Sequence, residues 1–121
     1  MTATPDKPTL MVVIYADPEA NGAAAEALRM AMGLGTGNRT LSMVLMGPAA
    51  RVLGDDLDDL VDGEMIENHL DVFADWETPF HVERAAMERY DLSGSPVGVI
   101  PVDTDGLARM MADAQQVMVV R

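Results

Sequence analysis

The feature that most constrains this chain is a repeating alternation. Five short apolar runs are separated by segments whose apolar residues recur at helical spacing. Leu10-Met11-Val12-Val13-Ile14-Tyr15 is an unbroken, β-branched run, the pattern of a strand buried on both faces in a parallel sheet. The turn Asp17-Pro18-Glu19-Ala20-Asn21-Gly22 follows, then an Ala-rich helix to about Leu34. Ala24, Leu28, Ala31 and Gly35 share one face of it, with Glu26 and Arg29 opposite. Leu41 to Met46 is the second strand, broken by Gly47-Pro48. A second helix is expected beyond Gly63, with Ile66, Leu70 and Phe73 inward and Glu67, Asp71 and Asp75 outward. Thr78–Val82 reads as the third strand and Arg84–Tyr90 as a short helix. Val97–Val102 is the fourth strand, and Asp103 caps a helix with Leu107, Met110, Met111 and Ala114 on one face. Val117–Val120 closes as a fifth strand. Strands and helices alternating in this way predict an α/β fold in three layers: a five-stranded, mostly parallel sheet with helices on both faces.

The 121 residues suit one domain, here 9–121, behind a short flexible lead-in over 1–8. Apolar residues make up 49% of the chain, enough to fill a core. Aromatics supply only 4%, so the 11 methionines, Met30, Met43, Met65, Met87 and Met110 among them, are expected as core filler. The lead-in has neither the apolar core of a signal peptide nor the basic character of a transit peptide, and no apolar run is long enough to span a bilayer. With no cysteine and no export signal, the expected location is cytoplasmic.

A net charge of −12 sets the chain against direct nucleic-acid binding and against anionic membrane surfaces. Half of its 20 acids lie between Asp55 and Glu77, a stretch without Lys or Arg. That stretch reads as a solvated helix face, or as a docking surface for a basic partner. Gly33, Gly35 and Gly37 follow a helix rather than precede one, so they are expected to end it in left-handed conformation and not to cradle phosphate.

In open α/β sheets, ligands bind beyond the carboxyl ends of the strands. Alternation places Asp17, Asn21, Gly47, His81, Glu83, Arg84 and Asp103 there. A phosphoacceptor receiver needs a lysine at that edge, and the single lysine is Lys7, before the first strand. A flavodoxin wants a Ser/Thr-rich phosphate loop where this chain has the acidic Asp17-Pro18-Glu19. His81 and Glu83 fall on one side of an extended segment, and with Asp17 they could ligate a metal, although one histidine and ordinary acids are a weak pattern. His69, at the border of a helix's apolar face, is expected as a hydrogen-bonded packing residue. No Ser/His/Asp arrangement is visible.

Three stretches resemble the DsrE/DsrF-like family, which includes the TusC and TusD subunits of the bacterial sulfur relay. They are Leu10 to Leu34, the segment Thr78-Pro79-Phe80-His81-Val82-Glu83-Arg84-Ala85-Ala86-Met87-Glu88-Arg89, and the closing strand-helix-strand from Gly98 to Val120. The resemblance implies a five-stranded, flavodoxin-like fold, assembly into trimers or hexamers, and in some members a persulfide on a cysteine near the third strand. Glu83, to within about one residue, stands at that cysteine's position here. A carboxylate suits a helix N-terminus but cannot carry sulfane sulfur, so this chain by itself has no persulfide transfer. The leading expectation is a non-catalytic structural or interaction subunit without a cofactor, self-associated or beside a Cys-bearing DsrE-like paralogue. The alternative is a small-ligand or metal-binding protein, or an enzyme, using a strand-end cleft with Asp17, Asn21, His81, Glu83 and Arg84.

Overall fold

The computed structural model describes residues 9–35 and 40–121. The lead-in over 1–8, with Lys7, and Gly37 lie outside them. The elements run β1 (Thr9–Ile14), α1 (Ala23–Gly35), β2 (Thr40–Leu45), a 3-10 helix (Gly47–Leu53), a 3-10 turn (Leu57–Asp59), α2 (Gly63–Asp75), β3 (Phe80–Glu83), α3 (Arg84–Arg89), β4 (Val99–Val102), α4 (Thr104–Asp113) and β5 (Gln116–Val120).

The sheet has five strands, every pairing parallel, in the order β4-β3-β2-β1-β5. Flavodoxin's order is 2-1-3-4-5, so the likeness to it holds for the layers and not for the strand order. This order explains where the helices go. From β1 to β4 the chain steps across the sheet in one direction, and right-handed crossovers then put α1, α2 and α3 on the same face. The return from β4 to β5 reverses direction and puts α4 alone on the other face. The core divides accordingly. Leu10, Val12, Ile14, Met43, Leu45, Phe80 and Val82 face the three-helix side with Leu28, Ile66, Leu70 and Phe73. Met11, Val13, Val44 and Val102 face α4, where Leu107, Met110, Met111 and Ala114 pack.

Phe73 ties the larger half together. Its ring meets Phe80 edge-on at 5.2 Å and Trp76 at 5.7 Å, a geometry that adds to its area burial. The expected inward face of α2 is present, with Ile66, Leu70 and Phe73 at 0–1% exposure. Asp103 caps α4 as expected, accepting the Gly106 N–H at 2.8 Å.

Two expectations need correction. Gly33 sits inside α1 and Gly35 closes it, neither at positive φ; among the described residues the glycine in that region of backbone space is Gly47, at φ 55°. Met30 and Met65 are exposed and not core filler, because they fall on helix faces turned away from the sheet. The apolar runs of β4 and β5 are edge strands and largely exposed, since α4 is a single helix and covers only the middle of its face.

Candidate functional site

Loops leaving β3 and β4 turn to opposite faces of the sheet, toward α3 and α4. A crevice opens between them at the strands' carboxyl ends, the place where open α/β sheets hold ligands. It is a cleft of about 200 Å³ lined by Met46, Glu83, Arg84, Ala85, Val102, Asp103 and Thr104. Glu83 and Arg84 line this one cleft, and Asp103 joins them from the end of β4.

Glu83 is the last residue of β3. Alternation along the strand buries Phe80 and Val82 on the three-helix side and turns His81 and Glu83 to the other. The Glu83 carboxylate accepts the Gly47 N–H at 3.0 Å. Gly47 begins the 3-10 helix after β2, where the first backbone N–H groups have no partner within the helix. Glu83 therefore supplies a cap from across the sheet. Glycine is suited to the capped position because its φ of 55° is costly for a residue with a Cβ.

His81 lies one residue pair deeper in the sheet, between Val44 and Ile100 on the α4 face. Its Nδ1 is buried and has no hydrogen-bond partner among the described residues. Asp17 and Asn21 are not among the residues lining the cleft. Each is engaged locally: Asp17 accepts the Glu19 N–H and Asn21 the Ala23 N–H, both at 2.9 Å, shaping the turn into α1. Among the described residues, no three His, Cys, Asp or Glu side chains converge as a metal-holding group.

Sequence reasoning missed Arg51. Its guanidinium, 16% exposed, reaches Glu19 Oε2 and Asp56 Oδ2, each at 2.6 Å. Hydrogen bonding to Asp56 first, and then to Glu19, raises the Arg51 pKa further. The Arg51 hydrogen bond in turn holds the Asp56 carboxyl below its usual range. Nothing in local sequence could have shown this, because Glu19 and Arg51 are 32 residues apart. A larger cavity, about 570 Å³, lies at the opposite ends of the strands. It is lined by Gly35, Thr40, Leu41, Trp76, Glu77, Thr78 and Pro79, and holds none of the sequence-derived candidates. Carboxylates of the acidic stretch, Asp55, Asp58, Glu67 and Asp71, line a separate groove of about 330 Å³ beside α2. His69, on the same helix, has a buried Nε2 without a partner, where a hydrogen bond was expected. Burial lowers its pKa, Arg29 lowers it further, and Glu26 opposes them.

These features define an α/β protein with a five-stranded all-parallel sheet and a narrow strand-end cleft, the architecture that the DsrE-like resemblance implies. Among solved structures, the crystal structure of the ychN protein from E. coli is similar, with a TM-score of 0.72 at 20% sequence identity, covering 93% of this chain and 98% of that one. Likeness at that identity speaks for the fold. No family model matches the sequence, and no curated protein matches it. No helix among the described residues is long and apolar enough to cross a membrane.

Proposed function

We propose that this chain is a non-catalytic DsrE-like protein, an interaction subunit of an oligomer related to sulfur-relay complexes. It works in the cytoplasm, as a trimer or hexamer of itself or beside a Cys-bearing DsrE-like paralogue that moves the sulfur. The observation that carries this reading is the use made of Glu83. The chain has no cysteine, and the residue at the position where the resemblance expects one spends its carboxylate on the backbone N–H of Gly47. A reactive position has become a strut between the ends of β2 and β3. Native mass spectrometry of the protein from its own cells tests the reading. A multi-subunit assembly, mixed or homomeric, is expected, and it persists in Glu83→Ala.

The cleft itself favours a second reading, a small-ligand protein using Glu83 and Arg84, with His81 outside the lining and deeper in β3. The cleft's volume of about 200 Å³ is below the roughly 300–1,000 Å³ of ordinary ligand pockets, which ranks this reading second. If it is right, a ligand co-purifies with the wild-type chain and is lost from the His81→Ala, Glu83→Ala double variant. Unchanged uptake rejects it.

A further inference from the structure

The two edges of the sheet are not alike. On β4, the Phe80 N–H donates to the Gly98 carbonyl. Alternation then turns Gly98, Ile100 and Val102 toward β3, and Val99 and Pro101 outward. Proline has no N–H, so β4 is blunted at an outward position, as natural proteins commonly blunt an edge. On β5, the Val120 carbonyl accepts the Tyr15 N–H at 2.7 Å. By the same alternation Val117 and Val119 turn their N–H and C=O groups outward. Within β5 neither a proline nor a charged side chain blunts them; the strand reads Gln116-Val117-Met118-Val119-Val120. An edge of this kind is a template for another strand.

Apolar side chains flank it on both faces. Val117 and Val119 are exposed on the α4 side, at 38% and 41%. On the other side Leu34 of α1 lines a cleft with Leu10, Gln116, Val117 and Met118, and Met30 lies one turn back on the same stripe. Four of the eight large hydrophobic residues exposed among the described residues thus gather along one edge. That edge strand carries no charge in a chain whose net charge is −12, so it is where two copies can approach with least repulsion.

We propose that β5 pairs with β5 of a second copy, antiparallel about a two-fold axis through Met118, joining two sheets into one of ten strands. In a two-fold contact residue i meets residue j and j meets i, so Val117 meets Val119 of the copy, a pairing of two like β-branched side chains. In this register Val117 lies opposite Val119 of the copy at both hydrogen-bonded positions, so every outward N–H and C=O of the two valines is satisfied. Arg121, stacked on Tyr15 at 4.9 Å, falls opposite Gln115 of the copy, two residues along the chain from its Asp113, and opposite charges meet at each end. A stable interface buries roughly 800 Å² per partner, more than a short strand supplies, and the Met30–Leu34 stripe of α1 provides flanking apolar area. This surface deepens the subunit reading and rests on it in its hexameric form, which has the two-fold axes that a trimer lacks.

The absence of native cysteine makes a direct test available. In the proposed register Met118 faces its own copy at a non-hydrogen-bonded position, with Cα atoms about 4.5 Å apart, inside the range a disulfide spans. Met118→Cys in the full chain is expected to form a covalent dimer under mild oxidation about tenfold faster than Ile100→Cys on the other edge, because pairing raises its effective concentration. Equal rates overturn the proposal. Val119→Pro removes one outward donor without touching the bonds to β1, and sedimentation is expected to show its assembly mass halved with an unchanged far-ultraviolet spectrum. Where that variant fails to fold, the paired cysteine rates decide alone. An assembly that persists in Val119→Pro without cross-linking in Met118→Cys overturns the β5 surface and leaves the subunit reading standing. A monomeric wild-type chain overturns both.

Discussion

Replacing Glu83 with Ala is expected to weaken the fold by about 1–2 kcal/mol while leaving the assembly intact. The bond it removes links a carboxylate to the Gly47 N–H over 3.0 Å in a partly buried setting. Hydrogen bonds to charged groups contribute roughly 1.5–3 kcal/mol, and partial exposure brings the figure toward the lower end. Gly47 also loses the cap on the first turn of its 3-10 helix. For 121 residues the entropy of unfolding is roughly 0.25 kcal/mol per kelvin, so Tm is expected to fall by about 4–8 °C. Glu83→Gln keeps an acceptor oxygen and is expected to recover about half of the loss. The assay is thermal unfolding by circular dichroism at one fixed protomer concentration, because assembly couples Tm to concentration. Two results refute the reasoning. An unchanged Tm in Glu83→Ala means the strut contributes nothing, and dissociation of the assembly at full subunit stability means the carboxylate belongs to an interface.

Phe73→Ala leaves a cavity between α2 and β3 and ends two edge-on ring contacts, so a loss of about 3–5 kcal/mol in chemical denaturation is expected. That is a large part of a typical domain's stability, and a loss below about 1 kcal/mol would mean the site collapses freely. Arg51→Met separates the β1–α1 turn from the loop at Asp56. Glu19 and Asp56 are about half exposed, so the loss is only about 1 kcal/mol, shrinking with added salt, but amide exchange around residues 17–22 and 54–57 is expected to quicken. Unchanged exchange would show that the turns hold without the clamp. His69 has a folded pKa lowered chiefly by burial, so the unfolded chain takes up its proton first as pH falls. Its contribution is fully present above the unfolded value of about 6.5 and is lost as pH drops through the depressed folded value. Wild-type Tm is therefore expected to fall across that window, and His69→Leu to fall less; parallel curves would reject the assignment.

Much of the architecture was legible because it is written locally. Ile66, Leu70 and Phe73 share a helical stripe, Asp103 stands where a cap is needed, and His81 and Glu83 occupy alternate strand positions. What the sequence could not show depends on partners far along the chain. The Glu83–Gly47 bond spans 36 residues, and the Arg51 clamp reaches Glu19 across 32. An apolar run announces a strand but not what covers it, so Val117 and Val119 read like Val12 and Val13 although the former are exposed and the latter fully buried. The difference lies in strand order, which leaves β5 at an edge and gives its outer face only part of one helix. The strand-end candidates divided for the same reason. Glu83, Arg84 and Asp103 meet where the loops diverge between β3 and β4, whereas Asp17 and Asn21 follow β1, two strands from β3.

In the proposed function the chain is an assembling subunit without chemistry of its own. Native mass spectrometry of the protein, purified gently from its own cells, addresses that claim most directly. A discrete multi-subunit assembly is expected, homomeric or containing a Cys-bearing paralogue, with protomers that carry no added mass. A monomer, or a protomer with a bound small molecule that disappears in the His81→Ala, Glu83→Ala double variant, would contradict it.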